Sequence, residues 1–111
     1  MVDGVCESLS ADPATFRVLS KRDGSHSIFA KDSVKVFDTD HRKVMDGVDA
    51  TSFEVLCEGN GPPHLGRDKN HLYLQVFYAG PIISLESEAS VLERISVEGR
   101  SENLKCPELG S

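Results

Sequence analysis

The sequence predicts an α+β fold in which short capped helices alternate with antiparallel β-hairpins over about two and a half repeats. Three observations carry the prediction. Asp49-Ala-Thr-Ser-Phe-Glu-Val-Leu56 restates Asp12-Pro-Ala-Thr-Phe-Arg-Val-Leu19, 37 positions later. Gly66-Arg-Asp-Lys-Asn-His-Leu-Tyr73 restates Ala30-Lys-Asp-Ser-Val-Lys-Val-Phe37, 36 positions later. The stretch His71–Tyr78 alternates apolar and polar residues with the period of a strand. Fixed-period self-similarity of this kind marks a repeat architecture, because one unit cannot bury its own apolar face alone.

Asp12-Pro13-Ala14-Thr15-Phe16 reads as a helix start. Asp12 suits the N-cap, Pro13 the first helical position, and Ala11 and Phe16 the two ends of a hydrophobic staple. Val48, Asp49 and Phe53 offer the same device in the second copy. Leu19 and Leu56 follow their phenylalanines by three residues, on one face of a helix of about two turns. Ser20–Ser27 and Cys57–His64 are polar or Gly/Pro-rich loops. Ile28-Phe29 opens a strand, and the polar turns begin at Asp32 and Asp68. Further strands follow around Val36 and Val44 in the first unit, and at 71–78 and 82–85 in the second. Leu72, Leu74 and Val76 share one face of their strand, and Tyr73, Gln75 and Phe77 the other.

Glu88–Ile95 aligns with Asp49–Leu56 as a decayed third copy of the helix, with Leu92 at the phenylalanine position and Ser87 as an alternative cap. Ile95–Val97 is a candidate last strand. The units run over about 11–47, 48–86 and 87–104 of a single domain, 1–111, and the tail is expected to be loosely held.

The two motifs, taken together and in order over roughly residues 11–78, resemble the DKNYY family of bacterial repeats. Asp68-Lys69-Asn70 with Leu72-Tyr73 is similar to its strand motif. Ala11-Asp12-Pro13-Ala14-Thr15-Phe16-Arg17-Val18-Leu19 is similar to its second motif. Ser33-Val34 and Leu74 depart from the pattern. The resemblance implies a structural or interaction repeat without an agreed enzymatic activity.

Composition bounds the function. With 39% hydrophobic and 27% charged residues, the chain has the make-up of an ordinary globular protein. Eighteen acids against twelve bases give a net charge of −6, which disfavours nucleic acid and suits a basic protein partner. No apolar run is long enough to span a bilayer. Cys6, Cys57 and Cys106, an odd count without a CxxC pair, favour reduced thiols and leave open one bridge plus a free thiol. The first ten residues lack the basic and apolar stretches of a secretion signal, so a cytoplasmic location is the default expectation.

No constellation supports catalysis, a metal or a cofactor. Cys57 with His64 or His71 lacks an orienting third group. Cys57, His64, Asp68 and His71 lack the close pairs that zinc prefers. Gly59-Asn60-Gly61 lacks the lysine and helix of a phosphate loop. Asp68-Lys69-Asn70 lacks the acidic series of a calcium loop.

The expected function is therefore a non-catalytic protein-interaction module, with a homodimer through an edge strand compatible with it. The alternative is a small acidic immunity or inhibitor protein that neutralises a basic toxin or nuclease. The repeat framework is Asp12, Phe16, Leu19, Asp32, Asp49, Phe53, Leu56 and Asp68. The candidate acidic partner surface is Asp38, Asp40, Asp46, Glu86 and Glu88.

Overall fold

A computed structural model describes residues 14–59, 61, 63–99 and 106. The first unit contributes strands β1 (Arg17–Ser20), β2 (His26–Lys31), β3 (Val36–Asp38) and β4 (Lys43–Val44). The second contributes β5 (Glu54–Leu56), β6 (His64–Arg67), β7 (Leu72–Gln75) and β8 (Ile83–Leu85), and helix α1 (Glu88–Val97) follows. Each set of four strands forms its own antiparallel sheet in sequence order. The fold is mixed α+β and mostly β.

The internal repeat is structural as well as sequential. Arg17 pairs with Lys31 in the first sheet as Glu54 pairs with Arg67 in the second. In both hairpin turns the aspartate's backbone N–H donates to the carbonyl three residues on, Lys35 or His71. Asp32 Oδ1 accepts the N–H groups of Val34 and Lys35. Asp68 Oδ1 accepts those of Asn70 and His71. The aspartates are buried because they hold the backbone in a tight turn. The hydroxyl at the start of each unit also plays one role twice. Thr15 Oγ1 accepts from Ser33 N and Ser52 Oγ from Lys69 N, both at 2.9 Å. Phe16 stacks on Phe37 at 5.5 Å, and Phe53 on Tyr73 at 6.2 Å.

The capped helices expected after Asp12 and Asp49 are a correction. Asp12 lies outside the described residues, but Arg17–Ser20 is a strand. Asp49 Oδ2 does accept from Ser52 N and Ser52 Oγ, as a cap would, yet one turn later the chain extends into β5. A two-turn helix is marginal on its own. Pairing of Glu54, Val55 and Leu56 with Arg67, Gly66 and Leu65 satisfies the backbone instead, and β-branched Val18 and Val55 suit strands better than helices.

The helix expected from Glu88 is present, over Glu88–Val97; what differs is its equivalence with the first two copies, which are turn and strand. Ser87 is its cap, with Oγ accepting from Ser90 N at 3.1 Å. Glu88 in the first turn and Arg94 in the last complement the helix dipole. Ile95–Val97, read from the sequence as a strand, belongs to this helix.

Three layers result, with the second sheet in the middle. Phe29 and Val36 of the first sheet meet Phe53, Val55 and Tyr73 of the second around one cluster. On the opposite face of the second sheet, Leu56, Leu65, Leu72 and Leu74 pack with Val91 and Ile95 of α1. Strand β7 is buried on both faces, with Leu72 and Leu74 on the helix side and Tyr73 on the side of the first sheet. Phe53 is buried and Phe16 is half-buried against Ala30, Phe37 and Val44. Helix α1 thus closes the outer face of the second repeat with an amphipathic cap.

Candidate functional site

The two repeats are joined by polar locks. Lys31 Nζ donates across the boundary to the carbonyls of Ala50 and Phe53, at 3.0 and 3.2 Å. Lys21 lies in the β1–β2 loop and enters the β5–β6 loop, where Nζ donates to the carbonyls of Gly59, Gly61 and Pro63 at 2.7, 2.7 and 3.3 Å. Burial lowers its pKa, partly offset by Asp23. Gly59 and Gly61, both with positive φ, present their carbonyls to a cation of the chain itself.

Asp68 binds more than its own turn. Its Oδ2 also accepts from Asp49 N at 2.9 Å and from the Tyr73 hydroxyl at 3.0 Å. Burial raises the Asp68 pKa, but these bonds together lower it on balance. Burial and the partnership with Asp68 push Tyr73 up to about 12.

A second polar cluster joins the β3–β4 turn to the β7–β8 turn. His41 Nδ1 is 2.7 Å from Asp38 Oδ2, and Nε2 is 3.3 Å from the carbonyl of Ala79. A neutral imidazole donates from one ring nitrogen only, so both bonds form together in the imidazolium. The bond to Asp38 is the main reason the His41 pKa is raised. Beside it, Gln75 Nε2 donates to Asp40 Oδ2 at 2.9 Å and to the Gly80 carbonyl at 2.8 Å.

Between the outer strands β4 and β8 a cleft of about 350 Å³ opens. Met45, Val48 and Ile82 give it an apolar wall, and Asp38, Lys43, Asp46 and Ser84 supply polar groups. Asp46 is exposed, whereas Asp38 is fully buried and committed to His41. Asp38 therefore does not belong to an exposed acidic surface. Glu86 and Glu88 line a separate depression with Asp68, Lys69 and His71. The structure thus places Asp46, Asp38 and the Asp40–Gln75 pair around one side and the two glutamates elsewhere.

The reduced thiols favoured by the sequence are corrected, and the bridge that it left open is present. Cys57 and Cys106 form a disulfide across a separation of 49 residues, while Cys6 lies outside the described residues. Half-cystine Cys57 is no nucleophile for His64 or His71. His64 is buried, and its Nδ1 has no hydrogen-bond partner among the described residues. Burial, with Lys21 nearby, depresses its pKa to about 4. Among the described residues no group of three or more His, Cys, Asp or Glu side chains is placed to hold a metal ion, and no helix is long and apolar enough to cross a membrane.

Sequence reasoning missed the Lys21 cage, the Asp38–His41 pair and the orphaned His64. Only the second left a local trace, an Asp and a His three apart in a turn. Comparison of the chain with known protein families, with curated proteins and with solved structures finds no match in any of the three.

Proposed function

We propose that the chain is a non-catalytic protein-interaction module built from two DKNYY-like repeats. The cleft between β4 and β8 supports this reading. Both are the outer strands of their sheets, and such edges offer backbone groups to an added strand. The partner segment would be extended, with an apolar side chain against Met45, Val48 and Ile82 and a basic one towards Asp46. The net charge of −6 would steer a basic partner to the encounter. A homodimer is the version in which a second copy supplies that segment.

The acidic immunity or inhibitor reading draws on the same net charge. It gains less from the geometry, because Asp38 is buried and Glu86 and Glu88 line a different depression. The Cys57–Cys106 bridge supports an oxidising compartment over the cytoplasmic expectation.

A photo-crosslinker in place of exposed Ser84 tests the proposal in extracts of the source cells. One discrete adduct is expected, retained in Glu93→Ala and lost in Val48→Arg. An adduct indifferent to Val48→Arg, or none at all, refutes it. Sedimentation of the purified protein separates the homodimer from a foreign partner.

A further inference from the structure

On the side where β1 and β5 approach one another, the repeats enclose a groove of different character. Its first part, about 310 Å³, is lined by Arg17, Lys21, Arg22 and Lys31, with Glu54 the one acid. Arg17 and Lys31 also line the adjoining part, of about 260 Å³, which adds Ser33, Thr51 and Asp32, whose Oδ1 is bonded to the N–H groups of Val34 and Lys35. One third of the chain's twelve bases is therefore gathered here, in a protein of net negative charge.

Two of the four cations are already engaged. Lys21 is turned into its carbonyl cage, and Arg22 lies 3.5 Å from Glu54. Lys31 spends two of its three N–H groups on Ala50 and Phe53 and retains one. Arg17 is exposed and makes no ion pair among the described residues. Arg17 and Lys31 are direct partners across the β1–β2 ladder, and like charges facing one another across a ladder are destabilising. At the equivalent rungs the second repeat sets Glu54 against Arg67, with oppositely charged atoms 3.7 Å apart. At that rung the first repeat sets two cations against one another and no carboxylate. After burial, Arg17 contributes to the lowered pKa of Lys31, with Asp49 opposing.

We propose that the groove between β1 and β5 binds an oxyanion, a phosphate or carboxylate, held between Arg17 and Lys31 where the second repeat carries the carboxylate of Glu54. Arg17 offers the planar fork that suits either anion. Lys31 supplies its remaining N–H, and the hydroxyls of Ser33 and Thr51 lie within the same lining. The site is distinct from the β4–β8 cleft, so either can fail without the other.

The test is thermal unfolding at fixed ionic strength, with inorganic phosphate or succinate replacing chloride in the millimolar range. An anion that binds the native state raises Tm in proportion to its occupancy. Wild type should gain several degrees, with backbone amide shifts centred on Arg17, Lys31 and Thr51. The stronger of the two anions identifies the source of the oxyanion. Arg17→Ala should weaken binding at least tenfold, while in chloride its Tm is at or above that of wild type, because a like-charge opposition is gone. Arg17→Lys should retain part of the response. The proposal is overturned if neither anion exceeds chloride, if Arg17→Ala responds as wild type does, or if Arg17→Ala lowers Tm in chloride.

Discussion

Gly66→Ala tests the way the repeats stack. Gly66 sits in β6 between Val55 and Tyr73, and its role is room for the ring of Phe53. A methyl group there would lie 2.4 Å from Phe53 Cζ and 2.9 Å from Cε1, where ordinary contact begins at 3.4 Å. The ring would have to retreat by about 1 Å against close packing. Phe29 stands 5.2 Å away and Tyr73 6.2 Å away, centroid to centroid. Overpacking with so little space to yield costs about 3 kcal/mol. Alanine's smaller loss of backbone entropy returns roughly 0.5–1 kcal/mol, leaving about 2 kcal/mol of net destabilisation. That corresponds to a fall in Tm of roughly 8–16 °C for a domain of this size. Urea unfolding of Gly66→Ala, Phe53→Leu and the double variant measures it. The shorter leucine should accommodate the methyl group, so the double variant should be more stable than the sum of the singles by at least about 1 kcal/mol. A Gly66→Ala protein within about 0.5 kcal/mol of wild type, or strict additivity, refutes the packing account.

Three other outcomes follow from the same geometry. His64 has a folded pKa near 4, below that of the unfolded chain, so its contribution is present above about pH 6.5 and is lost as pH falls through 4. That loss amounts to about 3 kcal/mol, and a pH series in which His64→Leu parallels wild type between pH 6.5 and 4 contradicts it. The Cys57–Cys106 bridge spans 49 residues, which the chain-entropy relation converts to about 4 kcal/mol. Denaturant midpoints with and without reductant, and for Cys57→Ser/Cys106→Ser, check this, and a loss under about 1 kcal/mol defeats it. Tyr73→Phe removes a buried donor from Asp68 and should cost about 1–3 kcal/mol. Its acid unfolding should also begin at higher pH, since Asp68 loses a bond that depresses its pKa.

The repeat, the hairpin turns at Asp32 and Asp68, and the two-faced strand β7 were legible in the chain because each depends on local chemistry. An aspartate that bonds the N–H groups two and three residues ahead needs no distant partner. Alternation in 72–76 assigns side chains to faces whatever lies beyond them. The segments Phe16–Leu19 and Phe53–Leu56 were recognisable as equivalents but misread as helices. Asp49 binds Ser52 as a cap binds its helix, and the first turn alone does not reveal what the backbone does next. The ladder with β6 decides that, and it forms across a loop that local pattern cannot close. Glu88–Val97, aligned with those segments, does form the helix expected of it, since Ser87 caps it and Val91 and Ile95 find an apolar sheet to cover. The sites lay further from view. Lys21 meets the Gly59 carbonyl 38 residues away, and His41 meets Ala79 at the same remove. Such pairs form only after the sheets have stacked. Local bonding fixed the turns and the strand faces; the β-ladders chose strand over helix and set Arg17 opposite Lys31, and tertiary packing paired Cys57 with Cys106 and brought Lys21 and His41 to their distant partners.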